Sequence, residues 1–287
     1  MFVALAIFGT TVFFLRYIAM PLATVAFACC LFGMVAVLVA MKLTRRKLRW
    51  RYIKESVPLS LLSGVALGGS WILLICAQKS TDSSITTVYY YLMPMVLALL
   101  TPLLGEKSRK KKLFLCALCL GGLVLTTGFW EKGFVWDISF LCALFAGVLH
   151  GAMVVCNKKL LDISSYDKTL LQLAATAAVL LPYCLFTDGF TGVKDVSATG
   201  LAALIVLGVV HTGLACRMYF DSLVRLPLQS VAIYSYINPA VTIFVTTFMT
   251  KQKLQLEEVL GVTLILGGIM VGELSKENFG RLFEKKG

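Results

Sequence analysis

No aspartate or glutamate lies deep in any of the long apolar runs of this 287-residue sequence. Charge of either sign is scarce at 15% of residues, against roughly a quarter in a soluble domain. Polar stretches are equally short. The longest connection between apolar runs is about a dozen residues, so there is no room for a soluble catalytic or nucleotide-hydrolysing domain. The sequence holds no P-loop, H-E-x-x-H, G-x-S-x-G or Cys/His cluster. Enzymatic chemistry, a cofactor, a bound metal and ATP-driven transport by this chain alone are therefore not expected. The missing deep carboxylate also disfavours a pump for lipophilic cations, which would need such a group to pair with its cargo and exchange for protons.

What is present is apolar: 59% hydrophobic residues and a mean hydropathy of +0.86. Both point to lipid as the solvent. The net charge of +12 sits in short loops, with no basic, aromatic-interleaved face for a nucleic acid. These loops read as topology signals and as contacts for anionic membrane lipid. All nine cysteines fall inside apolar runs, where a free thiol packs as a small hydrophobe. Cys116 and Cys119 spell C-x-x-C without the βαβ context of a redox motif. Residues 2–20 lack a basic leader and are followed at once by another apolar run, so they read as a retained first helix rather than a signal peptide.

A spanning helix needs about 20 mostly apolar residues. Ten runs qualify: 2–19, 22–41, 57–78, 83–104, 113–129, 138–157, 169–187, 199–220, 228–249 and 256–274. Short breaks make successive helices antiparallel neighbours. Continuous runs exclude the alternating strands of a membrane barrel, and an open sheet cannot satisfy its edges in lipid. The face holding both chain ends carries twenty lysines and arginines, and the opposite face six. The positive-inside rule then puts both termini in the cytoplasm, with the protein in the plasma (inner) membrane.

The two halves repeat. Phe8-Gly9 aligns with His150-Gly151, and Arg16 with Lys158. Tyr89-x-Tyr91-x-x-Pro94 matches Tyr234-x-Tyr236-x-x-Pro239; Gly68 falls on Gly213, and Gly121-Gly122 on Gly267-Gly268. The offsets run from 142 to 146 residues in chain order. Five spans per repeat is an odd number, so the copies insert in opposite orientations, a signature of alternating-access transporters. The expected fold is an all-α integral membrane protein of ten transmembrane helices as two inverted five-helix repeats. Residues 1–133 are the first repeat, 134–275 the second and 276–287 a cytoplasmic tail.

The stretch His211-Thr-Gly-Leu-Ala-Cys-Arg-Met-Tyr-Phe-Asp-Ser-Leu, followed by Ser230-Val-Ala-Ile-Tyr-Ser-Tyr-Ile-Asn-Pro239, resembles the drug/metabolite transporter superfamily, specifically its ten-helix EamA-type exporters. Ser80 through Glu106 is the first-half counterpart. The resemblance covers essentially the whole chain. It implies a central cavity lined by both repeats and export of small metabolites. Two departures stand out. Asn238 occupies a position that is often acidic in the family, and Lys251-Gln-Lys253 stands where many members carry Glu.

Ionisable groups at membrane depth default to function. Here they are His150 and His211, read either as neutral imidazoles bonded to a neighbouring helix or as substrate or proton sites. Arg217, nearer a helix end, is expected to snorkel to the interface. Pro94 and Pro239 break helices near mid-membrane and free carbonyls, which are tolerated there only in protein or along a cavity. Tyr90 and Tyr91 precede the first break. Tyr234 and Asn238 precede the second and, four apart, share a helical face. Gly64 and Gly68 read as a packing face. Trp71 is a cavity wall or an interfacial ring, and Gly9-Thr10-Thr11 offers close approach plus hydroxyls. The leading expectation is a secondary transporter exporting a small polar or zwitterionic metabolite, of which amino acids are the first candidates, with coupling to protons through a histidine or none. A multidrug exporter of the same fold stands beside it, as does a non-transporting membrane protein such as a scramblase, sensor or partner subunit. The sequence assigns no oligomeric state.

Overall fold

The computed structural model describes residues 1–46, 50–80, 83–129, 133, 136–161, 163–187, 190–251 and 255–273. They form ten consecutive helical rods, with no strand among the described residues. The first rod is α1a (Phe2–Gly9) and α1b (Thr11–Leu15). Next come α2 (Leu22–Leu43) and α3 (Trp50–Ser80). The fourth rod is α4a (Ser83–Tyr90), α4b (Leu92–Leu100) and a 3₁₀ turn at Thr101–Leu104. Helices α5 (Lys110–Thr126), α6 (Ile138–Lys159) and α7 (Ser165–Thr187) follow. The eighth rod is α8a (Ala198–Val206), a π-helical α8b (Leu207–Ala215) and α8c (Cys216–Arg225). The ninth is α9a (Leu228–Ser235) and α9b (Ile237–Thr250), and α10 is Leu256–Glu273.

Seven of these rods are long and apolar enough to cross a bilayer among the described residues. The first, fifth and tenth rods are shorter or carry more charge at their ends. The outer faces explain the composition: Phe186 is 90% exposed and Phe248 and Leu103 each 81%. Apolar surface this extensive is stable only against lipid or a partner.

The connections at 104–110, 159–165 and 225–228 meet at one end of the bundle, here end A. There Lys158 pairs with Glu106 at 2.7 Å and donates to the Leu226 carbonyl at 2.6 Å. The connections at 15–22 and 190–198 meet at the opposite end B, where the backbone at Gly192 and Gly200 lies against Ala19 and Tyr17. Met1 reaches Ser222, and Gly272 reaches Leu115 and Ile233, so both described ends of the chain are at end A.

Glycines set the helix spacing. A Cβ on Gly9 would lie 2.5 Å from Val241 Cβ and 2.8 Å from the Asn238 carbonyl. A Cβ on Gly151 would meet Met93, the counterpart of Asn238 in the other half, and Leu97, one position beyond the counterpart of Val241. The same reciprocity links α5 and α10, where Gly122 sits on Gly261 and Ile265, and Gly268 on Leu115 and Cys119. Gly64 and Gly68 pack on Gln172, Ala175, Thr176 and Val179 of α7, the packing face expected of them.

Without water between helices, polar side chains act as specific ties. Asn157 Nδ2 donates to Ser63 Oγ at 2.8 Å, and Asn157 and Gln172 exchange amide hydrogen bonds at 3.0 Å, joining α3, α6 and α7. Thr176 bonds the Gly64 carbonyl, and Ser70 that of Ala146. Each tie contributes about 0.6 kcal/mol on average, but Asn157→Leu removes several at once and strands the Gln172 amide. We expect a loss of about 2 kcal/mol, read as a lower melting temperature of the purified protein. An unchanged melting temperature would refute the role of this triad.

Several rods depart from the expected boundaries. Helix α3 starts at Trp50 rather than 57, and the eighth rod continues past 220 to Arg225. Helix α7 begins at Ser165 rather than 169, because Ser164 receives the first N–H groups, from Tyr166 and Lys168. Lys168 is consequently no loop residue. It is buried, and its long stem carries Nζ to the Leu160 and Phe220 carbonyls. Arg217 reaches back to end A, its guanidinium 4.6 Å over the Tyr166 ring and bonded to Ser165.

Candidate substrate-binding cavity

Both prolines break their helices where expected. Pro94 cannot donate to the Tyr90 carbonyl and Pro239 cannot donate to that of Ser235, so each helix opens about one turn earlier. The interruptions fall at Tyr91 and Tyr236, three residues before each proline. The two interruptions touch: Tyr236 Oη donates to the Tyr91 carbonyl at 3.0 Å, and the rings lie 5.8 Å apart.

Above this junction lies a cavity of about 790 Å³. Its walls come from α1, α3, α4 and α5 of the first half and α6, α8, α9 and α10 of the second. Near the floor are Tyr90, Tyr91, His150, Tyr219 and Asn238. Toward end B the lining becomes Gln78, Thr126, Thr127, Thr246, Thr247, Gln255 and Glu258, and there it opens. In the other direction it narrows to a chamber of about 80 Å³, bounded by Leu5, Leu97, Val154 and Val231. Past these apolar side chains, at end A, is a basic vestibule of about 400 Å³ that includes Glu106 and Lys158. The three voids run in series through the bundle, open at B and blocked on the A side of the break.

His150 occupies the floor. Its Nε2 is 3.2 Å from Tyr219 Oη, and its ring lies edge-on to Tyr90 at 5.7 Å. Its Nδ1 is buried with no hydrogen-bond partner among the described residues. A buried polar atom of this kind is rare and calls for a reason.

His211 lies elsewhere, in an apolar side branch of about 270 Å³ between α1, α2, α3 and α8. The branch adjoins the cavity, and Phe8, Thr11, Trp71, Leu74, Gln78 and Cys216 line both. The π-helical stretch α8b shifts the register around His211, a distortion frequent at functional positions. Thr10 Oγ1 donates to the Ile7 carbonyl at 2.7 Å, which uses its only proton. The 2.9 Å contact between Thr10 and His211 then requires Nε2 to donate. Nδ1 faces the Val206 carbonyl at 3.5 Å and meets it favourably only if it too carries a proton. The neutral ring protonated at Nε2 makes the Thr10 contact, and the longer contact to Val206 becomes a hydrogen bond only when the ring takes up a second proton.

Of the residues singled out in the sequence, Tyr90, Tyr91, Trp71, His150, Asn238 and Pro239 meet at the central cavity, and Pro94 lines the narrow chamber beneath it. Thr10 and His211 meet each other at the branch. Gly9 serves the α1–α9b contact, and its neighbour Thr11 reaches the cavity instead. Tyr234 packs against Phe2 at 4.7 Å, away from the cavity lining. The break at Tyr236 falls between Tyr234 and Asn238, so the four-residue spacing no longer places them on one face. Sequence reasoning missed Tyr219 and the threonines of α5 and α9b. A signal existed in α9b, where Asn238, Thr242 and Thr246 recur every fourth residue.

An all-helical bundle around a central cavity is matched by known proteins. The profile of the EamA-like transporter family fits residues 1–128 and again 137–272. This chain belongs to the EamA-like transporter family. It is similar to the uncharacterized transporter YxxF of Bacillus subtilis, 24% identical over 279 residues, or 94% of this chain and 86% of the relative. Protein RarD of Salmonella typhi is 24% identical over 67% of this chain and 65% of its own length. A solved crystal structure shares the fold with a TM-score of 0.82, covering 95% of this chain and 96% of its own at 19% identity. The EamA-like chain is thus an integral membrane protein of the transporter class, and its cavity is the place to seek substrate.

Proposed function

We propose that this EamA-like chain is a secondary transporter that exports a small polar or zwitterionic metabolite, with amino acids as the first class to test. One observation carries the reading: a cavity of about 790 Å³, walled by both halves, opens at one end and is blocked at the other. A single-sided cavity at a helix-break junction is what alternating access requires. The reciprocal glycine contacts and the doubled family match support two inverted repeats, spanning 1–133 and 134–275, that rock against each other. The excess of Lys and Arg at end A supports placing A in the cytoplasm of the inner membrane, so the cavity faces outward in this state.

The lining suits a zwitterion. His150 Nδ1 can donate to a carboxylate, while the Asn238 amide oxygen and the threonine hydroxyls can accept from an ammonium. His211 is the proton site in this reading. Beyond the shared Cys216 the side branch adds the thiol of Cys29, and no carboxylate, lysine or arginine lines it among the described residues.

Saturable flux of radiolabelled amino acids in proteoliposomes tests the proposal. Absence of flux across a panel of amino acids, nucleosides and vitamins, with folded protein, refutes it. His211→Ala is expected to cut accumulation driven by a pH gradient while sparing expression and substrate-for-substrate exchange at equal pH. If pH-driven accumulation persists in that variant, His211 is not the coupling group.

A further inference from the structure

A charge pair ties three helices together at end A. Glu106 Oε1 takes Lys158 at 2.7 Å, and Oε2 takes the backbone N–H of Leu228 at 2.7 Å. Lys158 also donates to the Leu226 carbonyl. One carboxylate thus ties the connection after α4 to the end of α6 and to the start of α9a.

The repeat offsets assign a counterpart to each partner. Lys158 corresponds to Arg16 at the end of α1b, and Glu106 corresponds to Lys251 after α9b. Both counterparts lie at end B, and both line one pocket of about 530 Å³ with Phe13, Thr247, Phe248 and Met249. The positions of the lock are repeated in the sequence but its anion is not. Where end A has a lysine and a glutamate, end B has an arginine and a lysine, and no carboxylate lines the pocket among the described residues. The sequence beyond Lys251, Gln252-Lys253-Leu254, brings no acid either.

Two cations drawn together as end B closes repel each other, and more strongly where water is excluded. An anion between them reverses the sign. Arg presents a planar fork matched to phosphate or carboxylate, and Lys adds a point charge. Phe248, 81% exposed toward the lipid side, places the pocket at the rim of the apolar belt, where lipid headgroups are at hand. We propose that Arg16 and Lys251 bind a phosphate-type anion, and that this anion closes end B in the role Glu106 plays at end A. The proposal rests on the inverted-repeat reading above. The anion is either a soluble oxyanion or the phosphate of an anionic lipid.

Binding is measured first, because it needs no transport. Purified full-length protein in detergent is titrated with inorganic phosphate, and separately with a short-chain phosphatidylglycerol, by native mass spectrometry. Binding to the wild type that weakens at least tenfold in both Arg16→Gln and Lys251→Gln supports the site. Absence of binding by both probes, or binding unchanged in both variants, overturns it. Flux is then compared in phosphatidylcholine vesicles without phosphate, with external phosphate, and with phosphatidylglycerol. Stimulation by phosphate identifies a soluble anion, and stimulation by phosphatidylglycerol alone identifies the lipid.

Lys251→Glu supplies the missing carboxylate in the protein. It is expected to transport without added anion and to lose the stimulation. If wild-type flux is robust and indifferent to both anions, the closing role fails while the transporter reading stands. If no substrate moves in any vesicle although the anion binds at Arg16 and Lys251, the transporter reading fails and the site remains.

Discussion

His150→Ala is expected to lower substrate affinity or transport by about 10- to 100-fold while leaving the protein folded. The ring stands on the cavity floor, and its Nδ1 has no partner among the described residues. A hydrogen bond to a charged ligand group contributes about 1.5–3 kcal/mol, and each 1.4 kcal/mol is a factor of ten. Folding should depend on the imidazole little, since among the described residues its ring makes one hydrogen bond, to Tyr219 Oη. Tyr219→Phe separates the two roles. It removes the hydroxyl that orients the imidazole but keeps the Phe8–Tyr219 ring contact, and it should reduce transport less than His150→Ala. The measurement is initial flux in proteoliposomes beside a melting curve of each variant. Full flux in His150→Ala would remove the floor of the cavity from the binding site. Loss of flux together with collapse of the melting curve would make His150 a structural residue.

Gly122→Leu is expected to abolish accumulation of folded protein, whereas Gly121→Leu should be tolerated. The two glycines are adjacent in α5 and chemically identical, so only their surroundings differ. A Cβ at Gly122 would lie 2.6 Å from the Gly261 carbonyl and 3.0 Å from Ile265, while a Cβ at Gly121 meets nothing within 4 Å. A backbone carbonyl cannot turn aside as a side chain can, so α10 would have to move away. Overpacking typically costs about 1–3 kcal/mol, and forcing two backbones apart should reach the upper end or beyond. Gly121 faces lipid, where a leucine is at home. The same contrast holds in α10, where Gly268 meets Cys119 at 2.8 Å and Gly267 meets nothing. Fluorescence-detected size exclusion of the four variants reads this directly. Equal yields across both pairs would show that the α5–α10 contact is adjustable.

These two cases mark how far the sequence could be read. The doublets Gly121-Gly122 and Gly267-Gly268 are visible as repeats, but which member of each bears the contact depends on how α5 turns toward α10. Pro94 and Pro239 announced the helix breaks because a missing N–H acts locally, whatever surrounds it. The face shared by Tyr234 and Asn238 was not preserved, because the break at Tyr236 resets the helical phase between them. Tyr219 and the threonines of α5 and α9b went unnoticed because Tyr and Thr are ordinary residues in membrane helices. The triad of Ser63, Asn157 and Gln172 comes from three separate helices and has no signature in any one of them.

The sequence by itself determined the solvent, the number of helical rods, their order and the uneven charge of the two ends. These follow from run length, proline and the cost of placing charge in lipid, all of which act along the chain. Only the tertiary structure decided that His150 and His211 stand in different compartments, that the cavity opens at end B, and that Glu106 finds Lys158. Those facts depend on helix rotation and on contacts between residues far apart in the chain, 201 positions for Thr10 and His211. Such contacts are fixed by close packing against glycine and polar ties, and that information is spread over both halves rather than written in any single stretch.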